Sequence, residues 1–309
     1  MGFDFVEGFS RPDWKHIQSF VVGKVPKEER LSAWNVIAEA WLRQLAHDLG
    51  GDARIHESER FFCLSDLDPD AAHALLTYAE STRTVIQHIL KEVAWSGYYG
   101  KHVLLIFADP DDYYSYVSYY YPEGYHSLSS GVFLREGYAH IAFPYVNPGF
   151  AEHVLVHELT HNLLAHLPIP LWLNEGLAVL IERQMSRGAF DIDPESVKRH
   201  AKHWNTNTIQ EFWAGSSFHV PGESNELSYS LAEILIRLLS ESGLNLTDFI
   251  TAADYRDAGQ DAAVSILGLD LGELVARFLG TGPWRPQRKA IAEILTKTSK
   301  QPHTERNCR

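Results

Sequence analysis

Cysteine is almost missing from this chain of 309 residues, which contains only Cys63 and Cys308. Two cysteines cannot build the disulfide framework that stabilises many small secreted domains. The scarcity therefore favours a reducing compartment. A chain of this length can bury a sizeable hydrophobic core without covalent cross-links.

Basic residues are also scarce. The 27 Lys and Arg residues are outnumbered by 40 Asp and Glu residues, which gives a formal net charge of -13, and the basic residues form no cluster. Proteins that bind nucleic acids use clustered Lys and Arg to neutralise phosphates. We therefore expect no nucleic-acid partner.

Long hydrophobic runs are absent as well. No stretch approaches the roughly 18 consecutive apolar residues that predict a membrane-spanning helix. Residues 1–25 carry charges throughout instead of the apolar segment of a signal peptide. The sequence therefore predicts no membrane span, and together with the cysteine content it favours a cytoplasmic location.

Apolar periodicity divides the chain near residue 150. Helical and strand-like segments alternate before this point, and helical periodicity replaces strands after it. The first part is predicted to contain a helix over 27–49, a strand over 53–64, a helix from 68 to about 93, a strand over 102–107, a Tyr-rich packing segment over 113–121 and strands over 131–145 joined at Glu136-Gly137. The second is predicted to contain helices over 151–166, 175–186, 226–242, 257–267 and 270–279, with partial helix over 288–297.

This pattern predicts an α+β fold of two lobes. We expect an N-terminal helical extension over 1–50, an α+β lobe with a mixed sheet over 51–149, a helical lobe over 150–280 and a C-terminal tail over 281–309. The helix that opens the second lobe would then lie at the seam between the lobes, where binding sites commonly form.

A metal-binding pattern lies in that helix. His157-Glu158-Leu159-Thr160-His161 is an HExxH sequence with uncharged flanks. Residues four apart lie on one face of a helix, so both imidazoles can reach one ion at about 2.0 to 2.1 Å, while Glu158 points to a metal-bound water. The pattern predicts two zinc ligands and a general base.

A third ligand is needed, because a catalytic zinc site has three protein ligands and an open position for water. Pro168 and Pro170 end the first helix, and the segment 171–174 leads into a second helix whose first turn presents Glu175. The helix dipole also favours an acidic residue at that position. We therefore expect Glu175 to complete a site for one Zn²⁺ per chain.

His153 is a rival ligand, since it shares the helix face of His157 and His161. However, His153 and His161 are separated by about 12 Å along the helix axis, too far to bind the same ion. We interpret His153 as a structural or cleft-lining residue and His166 as a surface residue near the helix end.

The segment His157–Glu182, HELTHNLLAHLPIPLWLNEGLAVLIE, resembles the gluzincin branch of metallopeptidases, above all the peptidase-MA-like families with HELTH followed by WLNEGLA. The resemblance implies a zincin-like fold with zinc held by His157, His161 and Glu175, and Glu158 as the base. More weakly, the strand, helix and strand pattern over 53–145 resembles the family's amino-terminal half, whereas residues 1–50 and 281–309 are not covered.

The resemblance has further implications. The family often stabilises the oxyanion with a tyrosine or histidine on a later helix, and Tyr229 stands at such a position, although a packing role is the alternative. The strand Tyr138–Phe143 resembles the edge strand on which such enzymes bind an extended substrate. The M-E-N exopeptidase motif of the large zinc aminopeptidases is missing, so aminopeptidase action is not expected.

The predicted function is hydrolysis of peptide bonds in a peptide or protein substrate by metal-activated water. One alternative is a non-catalytic zinc-binding scaffold or regulatory module with the same fold. A structural site usually closes its fourth position with Cys or His, and it has no need of a base such as Glu158. The other alternative, a coincidental HExxH in a helical core, does not explain the ordered succession of HExxH, proline and WLNEG.

Overall fold

A computed structural model of the chain describes residues 2–50, 52–95, 99–121, 130–186 and 192–299. The chain divides into two compact units. Unit 1 consists of Met1–Ile86 and Ser96–Asn162, and unit 2 consists of Gln87–Trp95 and Leu163–Arg309. In the described ranges, no helix has the length and apolar character needed to cross a membrane.

Strands and helices alternate up to residue 164. In chain order the elements are β1 (Phe3–Val6), β2 (Phe9–Pro12), α1 (Trp14–Lys24), α2 (Arg30–Leu49), β3 (Arg54–Glu57), β4 (Phe61–Ser65), α3 (Pro69–Leu90), β5 (His102–Phe107), α4 (Pro110–Ser118), β6 (Val132–Leu134), β7 (His140–Pro144) and α5 (Pro148–Leu164). Most of the segments predicted from periodicity are therefore confirmed. The strand predicted over 53–64 is a hairpin, and the Tyr-rich segment is largely helical.

Helices follow from residue 171 onward. They are α6 (Leu171–Ser186), α7 (Pro194–His203), α8 (Thr208–Ala214), α9 (Glu223–Glu241), α10 (Leu246–Ala252), α11 (Gln260–Ala262), which continues as a π-helical turn over Ala263–Leu267, α12 (Leu271–Leu279) and α13 (Arg288–Ser299). The α+β class is therefore confirmed at the level of its elements, since a sheet and many separate helices are present.

The main sheet of unit 1 has the strand order β3-β4-β5-β7-β6 in the described part of the chain. The strands β4, β5 and β7 are parallel, whereas β3 and β6 pair antiparallel with their neighbours. The three parallel strands are almost entirely buried and apolar. Continuous apolar sequence is typical of parallel strands that are covered on both faces.

One prediction about this sheet is wrong. The strand predicted at Tyr138–Phe143 is present as β7, but it is not an edge strand, because it pairs with β5 on one side and with β6 on the other. Its main-chain groups are therefore already used on both sides. The turn at Glu136-Gly137 folds β6 back against the outer side of β7, so that β6 is the outer strand of the described sheet at this side.

The hydrophobic core of unit 1 combines α2, α4 and one face of the sheet. From α2 it contains Trp34, Trp41 and Leu42, and from α4 it contains Tyr113 and Tyr116. The alternate strand positions Phe62, Leu64, Val103, Leu105 and Ala142 belong to the same cluster. The Tyr-rich segment therefore has the packing role that its sequence indicated.

Candidate metal centre

The helix α5 carries the two histidines of the HExxH sequence. The Asn147 side chain accepts a hydrogen bond from the Phe150 N–H (2.9 Å) near the start of this helix. His157 and His161 lie one turn apart, with ring centroids 4.7 Å apart and ring planes at 81°. Both side chains are half-buried. The spacing therefore places two imidazoles side by side on one helix face.

Apolar packing holds this part of α5 in place. Leu155, Val156, Leu159 and Leu163 are buried, and the buried hydroxyl of Thr160 donates to the Val156 carbonyl (2.9 Å). A helix that is fixed on its other sides cannot rotate to expose the histidines elsewhere. The residues between and around the ligands therefore act as a rigid support.

The helix α6 begins at Leu171, directly after Pro170, so the prediction that its first turn presents Glu175 is wrong, and Glu175 lies one turn further along. The first turn is fixed by contacts within unit 2. The N–H groups of Leu173 and Asn174 both donate to the Pro170 carbonyl (3.0 and 3.1 Å). The indole of Trp172 is fully buried and donates to the Ala258 carbonyl (3.0 Å). These contacts fix the start of the helix, and with it the direction in which Glu175 projects.

Gly176 allows α6 to approach α9 closely beside the predicted ligand. A Cβ at this position would lie 2.7 Å from the Ala232 carbonyl oxygen and 2.7 Å from Ile236 Cγ1. Such distances are shorter than van der Waals contact, so only glycine fits without a shift of the helix. The glycine of Asn174-Glu175-Gly176 therefore has a steric role in placing its neighbour Glu175.

The three predicted metal ligands lie together. One ligand atom from each of His157, His161 and Glu175 can be chosen so that all three lie within 4.8 Å of one another. Ligand atoms bonded at about 2.0 to 2.1 Å to a tetrahedral zinc ion are separated by about 3.4 Å, so only small side-chain adjustments are needed. Two imidazoles and a carboxylate are also a donor set that zinc favours in catalytic sites. The residues present therefore fit a zinc ion.

Two carboxylates of this region are buried, since Glu158 and Glu175 each retain 8% of their accessible surface. Removing a carboxylate from water is costly unless positive charge or hydrogen bonds compensate. A divalent cation at the ligand group would supply such compensation at short range.

His219 is a further titratable group near Glu175, and the sequence patterns did not point to it. It ends a 3-10 turn, Ser216–His219, that is bound to α9 because the Ser228 hydroxyl donates to the Ser217 hydroxyl (2.7 Å). The surrounding protein lowers the pKa of its imidazole by desolvation, and the Glu175 carboxylate acts in the opposite direction. The His219 side chain nevertheless keeps accessible surface, which indicates a concave, open position.

The remaining residues considered from the sequence have different surroundings. Tyr229 is half-buried on α9, where its ring contacts that of Phe218 edge-on (5.2 Å between centroids), and it lines a cleft with Val179 of α6. His153 is exposed. His166 is also exposed, as predicted, and lies beside Trp95.

Comparison with protein-family models and with curated proteins finds no match to this chain.

Proposed function

We propose that this protein is a zinc-dependent peptidase of the gluzincin type, with a two-lobed zincin-like fold. The observation that carries the proposal is the convergence of one ligand atom each from His157, His161 and Glu175. In an α-helical metal site, the residue that follows the first histidine, here Glu158, is suited to act as a general base. The order of HExxH, proline and Asn-Glu-Gly further supports the family assignment.

The proposed reaction is hydrolysis of a peptide bond. His157, His161 and Glu175 would hold the zinc ion, which when bound polarises a carbonyl and lowers the pKa of water toward about 7. Glu158 would accept the proton of the attacking water and then transfer it to the leaving amine. Glu158 is buried and directly follows His157 on α5, which keeps its carboxylate away from bulk water.

The developing negative charge on the substrate carbonyl needs a hydrogen-bond donor. We assign this role to Tyr229 of α9. Its phenol lines a cleft together with Val179 and Arg183 of α6. Glu175, Val179 and Arg183 are four residues apart and so lie on the same face of α6. This shared face supports the proposal that Tyr229 lies on the same side of α6 as Glu175.

A serine-hydrolase mechanism is not supported by the hydroxyl–imidazole pair of Ser230 and His200. The Trp204 indole donates to His200 Nδ1 (2.9 Å), so Nε2 of the neutral ring carries the proton and donates to Ser230 Oγ (3.0 Å). Burial lowers the pKa of His200 to about 4, which keeps the ring neutral at pH 7. An imidazole that donates to the hydroxyl cannot also take its proton.

Metal analysis and a peptide-library digest together test the proposal. Purified protein should contain one zinc per chain and should cleave peptides, and Glu158→Gln should keep the zinc and the folded state but lose hydrolysis by at least about 100-fold, because only the base is removed. Equal cleavage by the Glu158→Gln variant would refute the mechanism. Zinc at one per chain with no cleavage of any peptide by the wild type would instead favour the non-catalytic scaffold.

A further inference from the structure

A cleft in unit 2 lies along the face of α6 that carries Glu175. Its volume is about 240 Å³, and it is lined from α6, α7, α9 and the residue Ile192; the lining residues are Val179, Arg183, Ile192, Ser196, Glu226, Tyr229, Ser230 and Glu233. This space is sufficient for one amino-acid side chain or a chain end.

A buried carboxylate at the inner side of the cleft contacts two guanidinium groups. Glu233 retains only 4% of its side-chain surface and is shared by Arg183 and Arg237. Arg183 Nε lies 2.6 Å from Glu233 Oε1, and Arg237 Nη2 lies 3.1 Å from the same oxygen. Glu233 therefore does not depend on Arg183 alone for compensation of its charge.

A second group of charged side chains lies at the outer side of the cleft. Arg199 lies between Glu223 (3.3 Å) and Glu226 (2.7 Å), and all three side chains are at least 40% exposed. Water and salt screen charges that are exposed to this degree, so their effect on a ligand in the cleft is reduced.

Arg183 is the group of this cleft that can reach a ligand. Within the described residues, its ion pairing is confined to the contact of Nε with Glu233, and 41% of its side-chain surface is accessible. Its terminal Nη1 and Nη2 groups therefore remain for a second anion. These two groups form the planar fork that binds carboxylates through paired, charge-assisted hydrogen bonds.

From this arrangement we infer that Arg183 binds a carboxylate of the substrate, either an acidic side chain or the C-terminal carboxylate of the chain. The inference rests on the proposed peptidase function, because Glu175 marks the position of the scissile bond. Arg183 is two helical turns from Glu175, or about 12 Å along the axis, and helical side chains lean toward the N-terminus. An extended peptide advances by about 3.3 Å per residue, so the carboxylate lies within about four residues of the cleaved bond.

Arg237 provides a matched control for Arg183. Both guanidinium groups pair with the same buried oxygen of Glu233, but only Arg183 lines the cleft, whereas Arg237 lines a separate hollow with Leu238 and Phe278. Arg183→Gln and Arg237→Gln each remove one guanidinium group from Glu233, and Arg237 donates to it from both Nε and Nη2 (3.2 and 3.1 Å). A purely structural role therefore predicts a consequence for Arg237→Gln at least as large as for Arg183→Gln, whereas carboxylate binding predicts a loss only in Arg183→Gln.

The test measures peptide binding in the Glu158→Gln background, where the peptides are not consumed. The probes are N-acetylated octapeptide amides that contain Glu, Gln or Lys at one varied position, together with the free-acid form of the Gln peptides. We expect Glu peptides or free-acid peptides to bind about 10- to 100-fold more tightly than Gln amides, as for a bidentate charged pair. The preferred probe tells an acidic side chain from a C-terminal carboxylate.

The preference should disappear when Arg183→Gln is added and persist when Arg237→Gln is added, with both proteins folded by circular dichroism. Three outcomes would each overturn the inference. The first is equal binding of Glu and Gln peptides, both as amides and as free acids. The others are an equal loss of binding in the two arginine variants and a preference for Lys peptides that depends on Glu226. The binding measurement does not require turnover. Failure of the peptidase proposal is therefore seen in a separate measurement, as the absence of peptide hydrolysis by the wild-type protein. Active cleavage without any carboxylate preference would overturn the inference alone.

Discussion

Two histidine-containing regions of this protein have opposite arrangements. In the first, which we call the buried histidine network (Arg11, Tyr116, Tyr120 and His140), both ring nitrogens of His140 contact protein groups. Nδ1 lies 2.7 Å from the Tyr138 carbonyl oxygen, and Nε2 lies 2.8 Å from the Tyr116 hydroxyl. In the second region, the candidate metal centre, the half-buried His157 and His161 converge with Glu175.

The difference concerns the lone pair of the imidazole. A carbonyl oxygen can only accept, so Nδ1 of His140 donates, and Nε2 of the neutral ring accepts from the Tyr116 hydroxyl. Burial above all, with a smaller contribution from the Arg11 guanidinium, lowers the pKa of His140 to about 3, although the hydrogen bond to the Tyr138 carbonyl acts in the opposite direction. The ring of His140 is therefore neutral but has no lone pair left for a metal. Burial next to polar groups alone does not make a histidine a ligand.

Arg11 explains why the buried histidine network is structural. Its guanidinium is buried, donates to the Tyr116 carbonyl (3.0 Å) and lies 4.4 Å from the ring centres of Tyr116 and Tyr119. Cation–π contacts of this kind compensate part of the cost of burying a cation. The network thereby connects β2, α4 and β7 within unit 1, and it has no open position for a ligand among the described residues.

The largest expected effect separates the two regions by metal content. His161→Ala should lower the zinc content from one per chain to near zero, because two ligands do not retain zinc against buffer. His140→Ala should retain zinc but lower the free energy of unfolding by about 1 to 3 kcal/mol, because two buried hydrogen-bonding groups lose their partner. Elemental analysis and urea denaturation measure the two quantities. Full zinc content in His161→Ala would show that the ligand assignment is wrong.

The second prediction concerns two tyrosines with different surroundings. Tyr229→Phe keeps the ring contact with Phe218 and removes only the hydroxyl, so kcat should fall by roughly 10- to 1,000-fold with little change in KM if the hydroxyl stabilises the oxyanion. Tyr120→Phe in the buried histidine network is the control and should leave kcat unchanged. Steady-state kinetics on one peptide decide the matter. Equal kcat values for Tyr229→Phe and wild type would return Tyr229 to a packing role and direct attention to His219.

Helical spacing made the convergence of the candidate ligands predictable from the sequence. His157 and His161 are four residues apart, and the prolines marked the break before the helix of Glu175, although α6 begins at Leu171 and not at Glu175. The same spacing argument applies to Glu175, Val179 and Arg183, so the position of Arg183 on the ligand face could also have been predicted. The partnership of Arg183 with Glu233 could not, because it depends on how α6 and α9 pack.

Other features were beyond local patterns for physical reasons. The resemblance predicts an edge strand at Tyr138–Phe143, whereas β7 is an inner strand. Periodicity identifies a strand but not its neighbours, and the pairing of β6 depends on a turn whose direction the sequence does not specify. His219 is the last residue of a short 3-10 turn, which has no helical periodicity. Likewise, the ring nitrogens of His140 are bonded by residues from α4 and from its own strand, and no sequence spacing relates Tyr116 to His140.

The smallest expected effect is a difference in pH dependence, which sharpens the contrast between a bonded and a metal-binding histidine. The pKa of His140 is about 3 in the folded protein, against about 6.5 for an unperturbed histidine. Below about pH 6.5 the unfolded chain therefore binds a proton that the folded protein does not, so the contribution of His140 to stability is full above pH 6.5 and is lost as the pH falls toward 3. At 1.36 kcal/mol per pKa unit, lowering the pH from 7 to 5 should cost about 2 kcal/mol of stability through this residue.

His102 and His200, whose pKa values are also lowered, add to the total loss of stability in wild type and variant alike. His140→Gln, which does not titrate, should therefore show a decline between pH 7 and 5 that is smaller by about 2 kcal/mol in urea denaturation. A chelator is present in both series, because protonation of His157 and His161 would otherwise release zinc and add its own pH dependence. An identical decline in the two proteins would mean that His140 already binds its proton in the folded state, and the contrast with the metal centre would then fail.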